Sequence, residues 1–216
     1  YLAAGRYRSE ADKEALFLAR INANGTLDTG YGTDGVATTV LGDAGSIHVA
    51  VAPDGTAVTV TRRNKVVLAH RWTSEGEPDT SFSADGVREL PFGELHRLSP
   101  SYVTVDSQGR VLAAAMTNAP KGENTRIVRL NPDGSSDDTF GSNGRATVNV
   151  DITDWPDVLA VDASDRVLLG LDFEQLSPGD AKYAGRSGVV RLRQNGGYDR
   201  KFSNDGLALF RLASGG

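Results

Sequence analysis

The stretch Gly25-Thr26-Leu27-Asp28-Thr29-Gly30-Tyr31-Gly32-Thr33-Asp34-Gly35 decides the reading of this chain, because it returns three times. The copies are Gly76-Glu77-Pro78-Asp79-Thr80-Ser81-Phe82-Ser83-Ala84-Asp85-Gly86, Gly134-Ser135-Ser136-Asp137-Asp138-Thr139-Phe140-Gly141-Ser142-Asn143-Gly144 and Gly196-Gly197-Tyr198-Asp199-Arg200-Lys201-Phe202-Ser203-Asn204-Asp205-Gly206. The shared pattern is Gly-x-x-Asp-x-x-Phe/Tyr-x-x-x-Gly. Recurrence at such a period marks a repeat architecture. The glycines supply positive φ at turns, the Asp hydrogen-bonds the amides of its own turn, and the aromatic plugs the loop into apolar material. An arginine lies eight residues before each Asp: Arg20, Arg71, Arg129 and Arg191. Fixed spacing in every repeat predicts a charge-assisted Arg–Asp pair of structural purpose rather than four active sites.

A second signal precedes the first. Val49–Val58, Val103–Leu112 and Leu159–Leu168 each read as strand, tight turn, strand, because short β-branched runs flank Pro, Asp or Gly. In the third of these Asp165 stands where the turn glycine belongs, and Asp tolerates the left-handed region. Each repeat therefore holds four short strands, A to D. In the second repeat they are expected at Ile47–Val51, Thr56–Thr61, Lys65–Trp72 and Val87–Leu90. No segment shows helical periodicity. The fold class that follows is all-β: a β-propeller or partial propeller of four consecutive four-stranded antiparallel blades. Tyr1-Leu2-Ala3-Ala4 aligns with Val111–Ala114 inside a strand B, so the first blade is expected to lack its innermost strand. The expected organisation is one repeat domain over residues 1–216, in units of about 1–46, 47–101, 102–157 and 158–216. An unpaired inner edge is a pairing liability, which predicts a longer chain, a second chain, or four blades closing on themselves.

The phrases Phe17-Leu18-Ala19-Arg20-Ile21-Asn22-Ala23-Asn24-Gly25-Thr26-Leu27-Asp28 and Ile127-Val128-Arg129-Leu130-Asn131-Pro132-Asp133-Gly134, each followed by the aromatic loop, resemble the delta-60 repeat family of bacterial β-propeller-type repeats. The resemblance extends over nearly the whole chain. It implies a protein that is extracellular, at the cell surface or periplasmic, and it carries no catalytic residue over. Phe82-Ser83 and Phe202-Ser203 depart from the usual Phe-Gly, and Tyr31 replaces Phe, which bears on loop shape rather than on the fold.

Bulk composition excludes several classes. The 23 basic and 28 acidic residues give a net charge of −5, which argues against nucleic acid as a partner. No apolar run approaches a membrane span. There is no cysteine, hence no thiol nucleophile and no disulfide. No nucleophile elbow, phosphate loop, dinucleotide fingerprint or His-Glu-x-x-His is present. No cofactor is implied; the Asp- and Gly-rich turns leave calcium as a minor expectation, because clustered oxygens suit a hard cation.

Strand alternation puts the two repeated motifs, the A–B and C–D loops, at one end of each blade. The B–C loops (Arg6–Glu14, Arg62–Asn64, Asn118–Asn124, Glu174–Gly188) and the D–A loops (Leu41–Ser46, Pro91–Ser101, Asp151–Asp157) differ among repeats and share the other end. Repeat proteins put insertions on their binding side. That end offers Trp155 among Asp151, Asp154 and Asp157, His96 beside Glu94 and Arg97, His48 at the head of a strand A, and Tyr183 and Arg186 in the longest loop with Glu174, Asp180 and Lys182. A tryptophan among carboxylates suits a sugar ring or a cation, although packing on a neighbouring blade is the commoner use of so large an apolar side chain. The histidines are read as ordinary loop or core residues before metal ligands. The expectation is a non-catalytic binding or scaffolding module presenting this end to a protein or glycan, with a homo-oligomer or further blades as additional partners. The alternatives are a lyase or hydrolase using carboxylates with His48 or His96, and a structural assembly subunit.

Overall fold

The computed structural model describes residues 1–9, 11–41, 46–96, 101–119, 122–150, 155–172 and 186–210. Among these residues there are 15 strands and no helix, arranged as four antiparallel sheets in which sequential strands are neighbours. The first sheet has three strands: β1 (Leu2–Arg8), β2 (Glu14–Arg20) and β3 (Val36–Val40). The second holds β4 (Ile47–Val51), β5 (Ala57–Arg63), β6 (Val66–Trp72) and β7 (Val87–Glu89). The third holds β8 (Ser101–Val105), β9 (Val111–Ala119), β10 (Gly122–Leu130) and β11 (Arg145–Val148). The fourth holds β12 (Trp155–Val161), β13 (Val167–Asp172), β14 (Ser187–Leu192) and β15 (Leu207–Phe210). Four meander sheets without helices are the blades of a β-propeller. Antiparallel alternation sets the A–B and C–D turns at one end of each blade and the B–C and D–A connections at the other.

The middle strands are apolar on both faces because both faces are covered. Ala57–Thr61 of β5 and Val111–Thr117 of β9 are buried without interruption. The edge strand β11 alternates instead, and so do the inner strands β13 and β14 of the fourth blade. The chain forms two compact units. One comprises Tyr1–Leu90, Val103–Val111 and Leu130–Ser135, and its core joins Leu16, Leu18, Tyr31 and Ala37 of the first blade to Ala57 and Trp72 of the second. The other comprises Pro91–Tyr102, Leu112–Arg129 and Ser136–Gly216. Its core joins Leu112, Ile127, Phe140 and Val148 to Leu159, Val167, Leu169 and Val190.

Three B–C connections are tighter than the sequence predicts. In the first blade the β1–β2 ladder runs on to Arg8↔Glu14, inside the expected loop Arg6–Glu14. In the second blade the β5–β6 ladder runs on to Arg63↔Val66, and the chain reverses at Asn64, whose φ of 54° supplies the left-handed residue of a two-residue hairpin. In the third blade β9 extends to Ala119 and β10 begins at Gly122, so the expected loop Asn118–Asn124 is largely ladder. Pairing satisfies backbone groups that a longer loop would leave to solvent.

His70 on β6 is buried, with its Nε2 3.4 Å from Thr61 Oγ1. Burial pushes its pKa from the ordinary 6.5 down to about 4, and Asp85 offsets this only in part. The folded protein keeps the ring neutral while the unfolded chain protonates it. Stability is therefore complete above pH 6.5 and is lost as pH falls towards 4, by about 3 kcal/mol. His70→Phe is expected to flatten that part of the stability profile, measured by urea unfolding at several pH values. An unchanged pH slope in the variant would contradict it.

Candidate functional site

Each C–D loop is assembled on one guanidinium. Arg20 Nε donates to Asp28 Oδ2 at 2.8 Å, Arg129 Nε to Asp137 Oδ2 at 2.7 Å and Arg191 Nε to Asp199 Oδ2 at 2.8 Å, and Arg71 lies 3.0 Å from Asp79. The second carboxylate oxygen caps the turn: Asp137 Oδ1 accepts from Thr139 N at 3.0 Å and Thr139 Oγ1 at 2.6 Å, and Asp79 Oδ1 does the same for Ser81. Burial opposes ionisation of Asp137, but the bonds from Thr139 and Arg129 outweigh it and hold the carboxyl below the usual range. The aromatic of each motif lies under the same arginine. The guanidinium carbon is 4.8 Å from the Tyr31 ring centre, 5.7 Å from Phe82, 4.5 Å from Phe140 and 4.5 Å from Phe202. A cation over a ring face gains about 0.5–2 kcal/mol, more as water is excluded. Sequence reasoning supplied the pair and the plug but not their stacking, which no spacing rule reveals.

Glycine or its substitutes complete the loop. A Cβ at Gly32 would stand 2.4 Å from Val36 O, and one at Gly141 only 1.9 Å from Arg145 O, with φ of 56° and 59°. Ser203 adopts the same region, at φ 53°. Ser83 does not. Its hydroxyl lies 3.0 Å from Asp85 Oδ1 and 2.9 Å from Val87 O, two acceptors for its one proton, and Gly86 N closes the turn on Ser83 O. Ser203 takes the glycine's φ, but Asn204 after it is also left-handed at φ 69° and Gly206 N closes on Phe202 O, so both departures from Phe-Gly rebuild the turn.

The A–B turns also consume their charges. Asp54 Oδ1 accepts from Thr56 N and Oγ1. Asp106 Oδ1 accepts from Gln108 N and Arg110 N while Oδ2 takes Arg110 Nε at 2.7 Å, and Asp162 repeats this with Ser164 and Arg166. Asp165 takes φ 54° in the glycine's place. Among the described residues no three His, Asp or Glu side chains gather as metal ligands.

The other end of the blades carries the candidate binding groups. Trp155 begins β12 and faces Asp172 across the ladder. Asp157, two residues on, is exposed. Burial of its carboxyl and then the charge of Asp172 raise its pKa, and Tyr102 on β8 is raised by burial and then by Asp157. The three groups therefore act on one another at the variable end of the second compact unit. Asp172 and Tyr102 carried no sequence signal, since neither lies in a candidate loop. His96 is half-buried, and its amide donates to Met116 O at 3.0 Å. Beside it Glu94 Oε1 accepts from Asn118 Nδ2 at 3.2 Å, which ties the connection to the end of β9. Arg186 precedes β14, and its Nε is buried with no hydrogen-bond partner among the described residues. His48 sits in the first compact unit, half-buried opposite Val60, and burial lowers its pKa. Asp154 and Tyr183 lie outside the described residues, as do Asp151, Arg97, Glu174, Asp180 and Lys182. The fold also gathers cations that are distant in sequence: Arg166, Arg193, Arg200 and Lys201 line a hollow of about 730 Å³ with Tyr198 and Asp199.

A family model described as "Domain of unknown function (DUF5122) beta-propeller" matches residues 1–31 and 109–140. No curated protein matches the chain. The two matched stretches cover the same part of a blade. Each runs through the second and third strand positions and stops at the loop aromatic, Tyr31 or Phe140. The chain is a β-propeller repeat protein in its architecture and in this resemblance.

Tyr31 differs from its three counterparts by a hydroxyl that is buried and unpartnered among the described residues, and burial raises its pKa to about 12 against the pull of Arg20. Removing an unsatisfied buried hydroxyl relieves a desolvation cost. Tyr31→Phe is expected to stabilise the protein by about 1 kcal/mol in urea unfolding. A loss of stability would show that the hydroxyl is bonded.

Proposed function

We propose that this chain is a non-catalytic binding or scaffolding module of an exported or surface-displayed bacterial protein, built from repeats of the delta-60 kind. It presents the B–C and D–A end of its blades to a glycan or protein partner. The observation that carries the reading is the division of labour between the two ends. At the repeated end the turn carboxylates are spent on backbone amides or on arginines of the same loop. At the variable end the charge of Asp172 acts on Asp157 and that of Asp157 on Tyr102. An aromatic flanked by carboxylates is the chemistry by which a rigid scaffold stacks on a sugar ring and accepts its hydroxyl protons. By their place in the sequence Trp155, Asp154, Tyr183 and Arg186 belong to connections of this end, as does His96. Calcium is not needed for this role.

A second reading rests on the raised carboxyl of Asp157 beside Asp172, since two carboxylates of differing pKa are the groups of a glycosidase or lyase. One experiment separates the two. The protein is incubated with an array of defined oligosaccharides, scored for retention and for cleavage. The module reading predicts retention of at least one sugar without new reducing ends. Trp155→Ala and Asp157→Asn should weaken that retention tenfold or more, while Asp28→Asn leaves it unchanged. Cleavage abolished by Asp157→Asn would overturn the module reading in favour of the enzyme, and retention of no sugar would overturn the glycan partner.

A further inference from the structure

Three cations of the fourth blade have no counterpart in the other repeats. At the place of Arg193 the earlier copies carry Asn22, Thr73 and Asn131. At that of Arg200 they carry Thr29, Thr80 and Asp138, and at that of Lys201 they carry Gly30, Ser81 and Thr139. Three loops are built without a cation at any of these positions, so the frame does not require them. All three residues are exposed, and none makes an ion pair among the described residues. The nearby carboxylate of Asp199 is already spent on Arg191 Nε, at 2.8 Å. In a chain of net charge −5, such a cluster of unpaired positive charge in one loop is not a consequence of bulk composition.

The three surround one hollow. With Arg166 and Tyr198 they line the space of about 730 Å³ described above, and all of these residues belong to the second compact unit. Arg166 is held by Asp162 Oδ2 at 2.7 Å. Tyr198 is fixed through its hydroxyl, which donates to Asn149 O at 3.1 Å and accepts from Asn149 N at 3.0 Å. The guanidinium of Arg193 lies against Gly197, where a Cβ would come 2.8 Å from its Nη2. The other copies carry Thr26, Glu77 and Ser135 at that place, so the bare glycine accompanies the arginine. Docking of a following blade does not cover these loop positions. Arg20 Nη1 donates to Ser74 O, Arg71 Nη1 to Pro132 O at 2.5 Å and Arg129 Nη1 to Gln194 O at 2.6 Å, each reaching the next blade. Beside those junctions Thr29, Thr80, Ser81, Asp138 and Thr139 all remain exposed.

We propose that this hollow binds an acidic polysaccharide, with the carboxylate or sulfate groups on Arg193, Arg200 and Lys201 and a sugar ring against Tyr198. Arginine forks match planar or tetrahedral oxyanions with two bonds at once, and lysine adds a point charge. Several cations spread around a hollow of this size suit a ligand that carries several anionic groups, not a single ion. The aromatic in the wall suits a ligand with apolar ring faces between its charges. A nucleic acid also combines rings with charge, but the net charge of −5 opposes its approach to the rest of the surface. This site lies at the repeated end of one blade. It is independent of any ligand at the variable end.

The test is isothermal titration calorimetry at low salt with four probes: an oligogalacturonate, its methyl ester, a chondroitin sulfate oligosaccharide and an oligothymidylate. The wild type should bind at least one of the two acidic sugars, and which one binds tells carboxylate from sulfate. The methyl ester and the oligothymidylate should bind more weakly. Arg193→Thr, Arg200→Thr and Lys201→Ser are made together, because they install the residues with which the second blade already folds, Thr73, Thr80 and Ser81. This variant should bind the acidic sugar about tenfold or more weakly. Arg63→Gln removes an exposed cation of the other compact unit and should change binding by less than about twofold, since distant charges are screened. Binding of neither acidic sugar, equal binding of the methyl ester, or a triple variant that binds like the wild type overturns the proposal. So does an oligothymidylate that binds as tightly as the sugar.

Discussion

A guanidinium removed from water must have its donors satisfied on every side, and this requirement sets the form of each blade. Arg129 is 1 % exposed. Its Nε lies on Asp137, Nη1 on Gln194 O and Nη2 on Thr139 Oγ1, with the Phe140 ring beneath. A buried charge with one partner deleted costs about 3–5 kcal/mol. The chain therefore has little freedom over the strand that carries the arginine, the loop that returns the aspartate or the turn of the next blade. One residue ties local loop shape to the packing of neighbouring blades, which is how a repeat protein makes stability a sum over interfaces.

That arrangement bears on function by what it uses up. Turn aspartates that resemble cation ligands in sequence are engaged by amides and arginines, so the repeated end is mechanical. The connections at the opposite end vary in length and sequence. There Trp155, Asp157, Asp172 and Tyr102 fall close together in the second compact unit. Loops held on packed sheets are where recognition is commonly placed, and this division is what the proposed binding role draws on.

Much of the fold was legible because its determinants are local and repeated. The Gly-x-x-Asp-x-x-aromatic stretch, the Asp-Gly turns and β-branched runs located the strands of the second blade to within two residues. The three strands of the first sheet follow from aligning Tyr1–Ala4 with Val111–Ala114. What sequence did not reveal depends on three-dimensional proximity. The arginine's stacking on the aromatic and its reach into the next blade involve backbone carbonyls, which have no residue signature. Asp106–Arg110 and Asp162–Arg166 form within single turns that read only as turns. The cations of the fourth blade meet across segments far apart in the chain. Loop ends erred where a ladder could continue, as at Arg63↔Val66.

The account turns on the claim that arginine and aspartate act as one energetic unit. A double-mutant cycle of Arg129→Met, Asp137→Asn and the pair, measured by urea unfolding, tests this most directly. The account predicts a coupling energy of about 2 kcal/mol, with the second substitution costing far less once the first is made. Additive losses would contradict it, because they would mean that each residue holds its own part of the loop and that the guanidinium does not organise the blade.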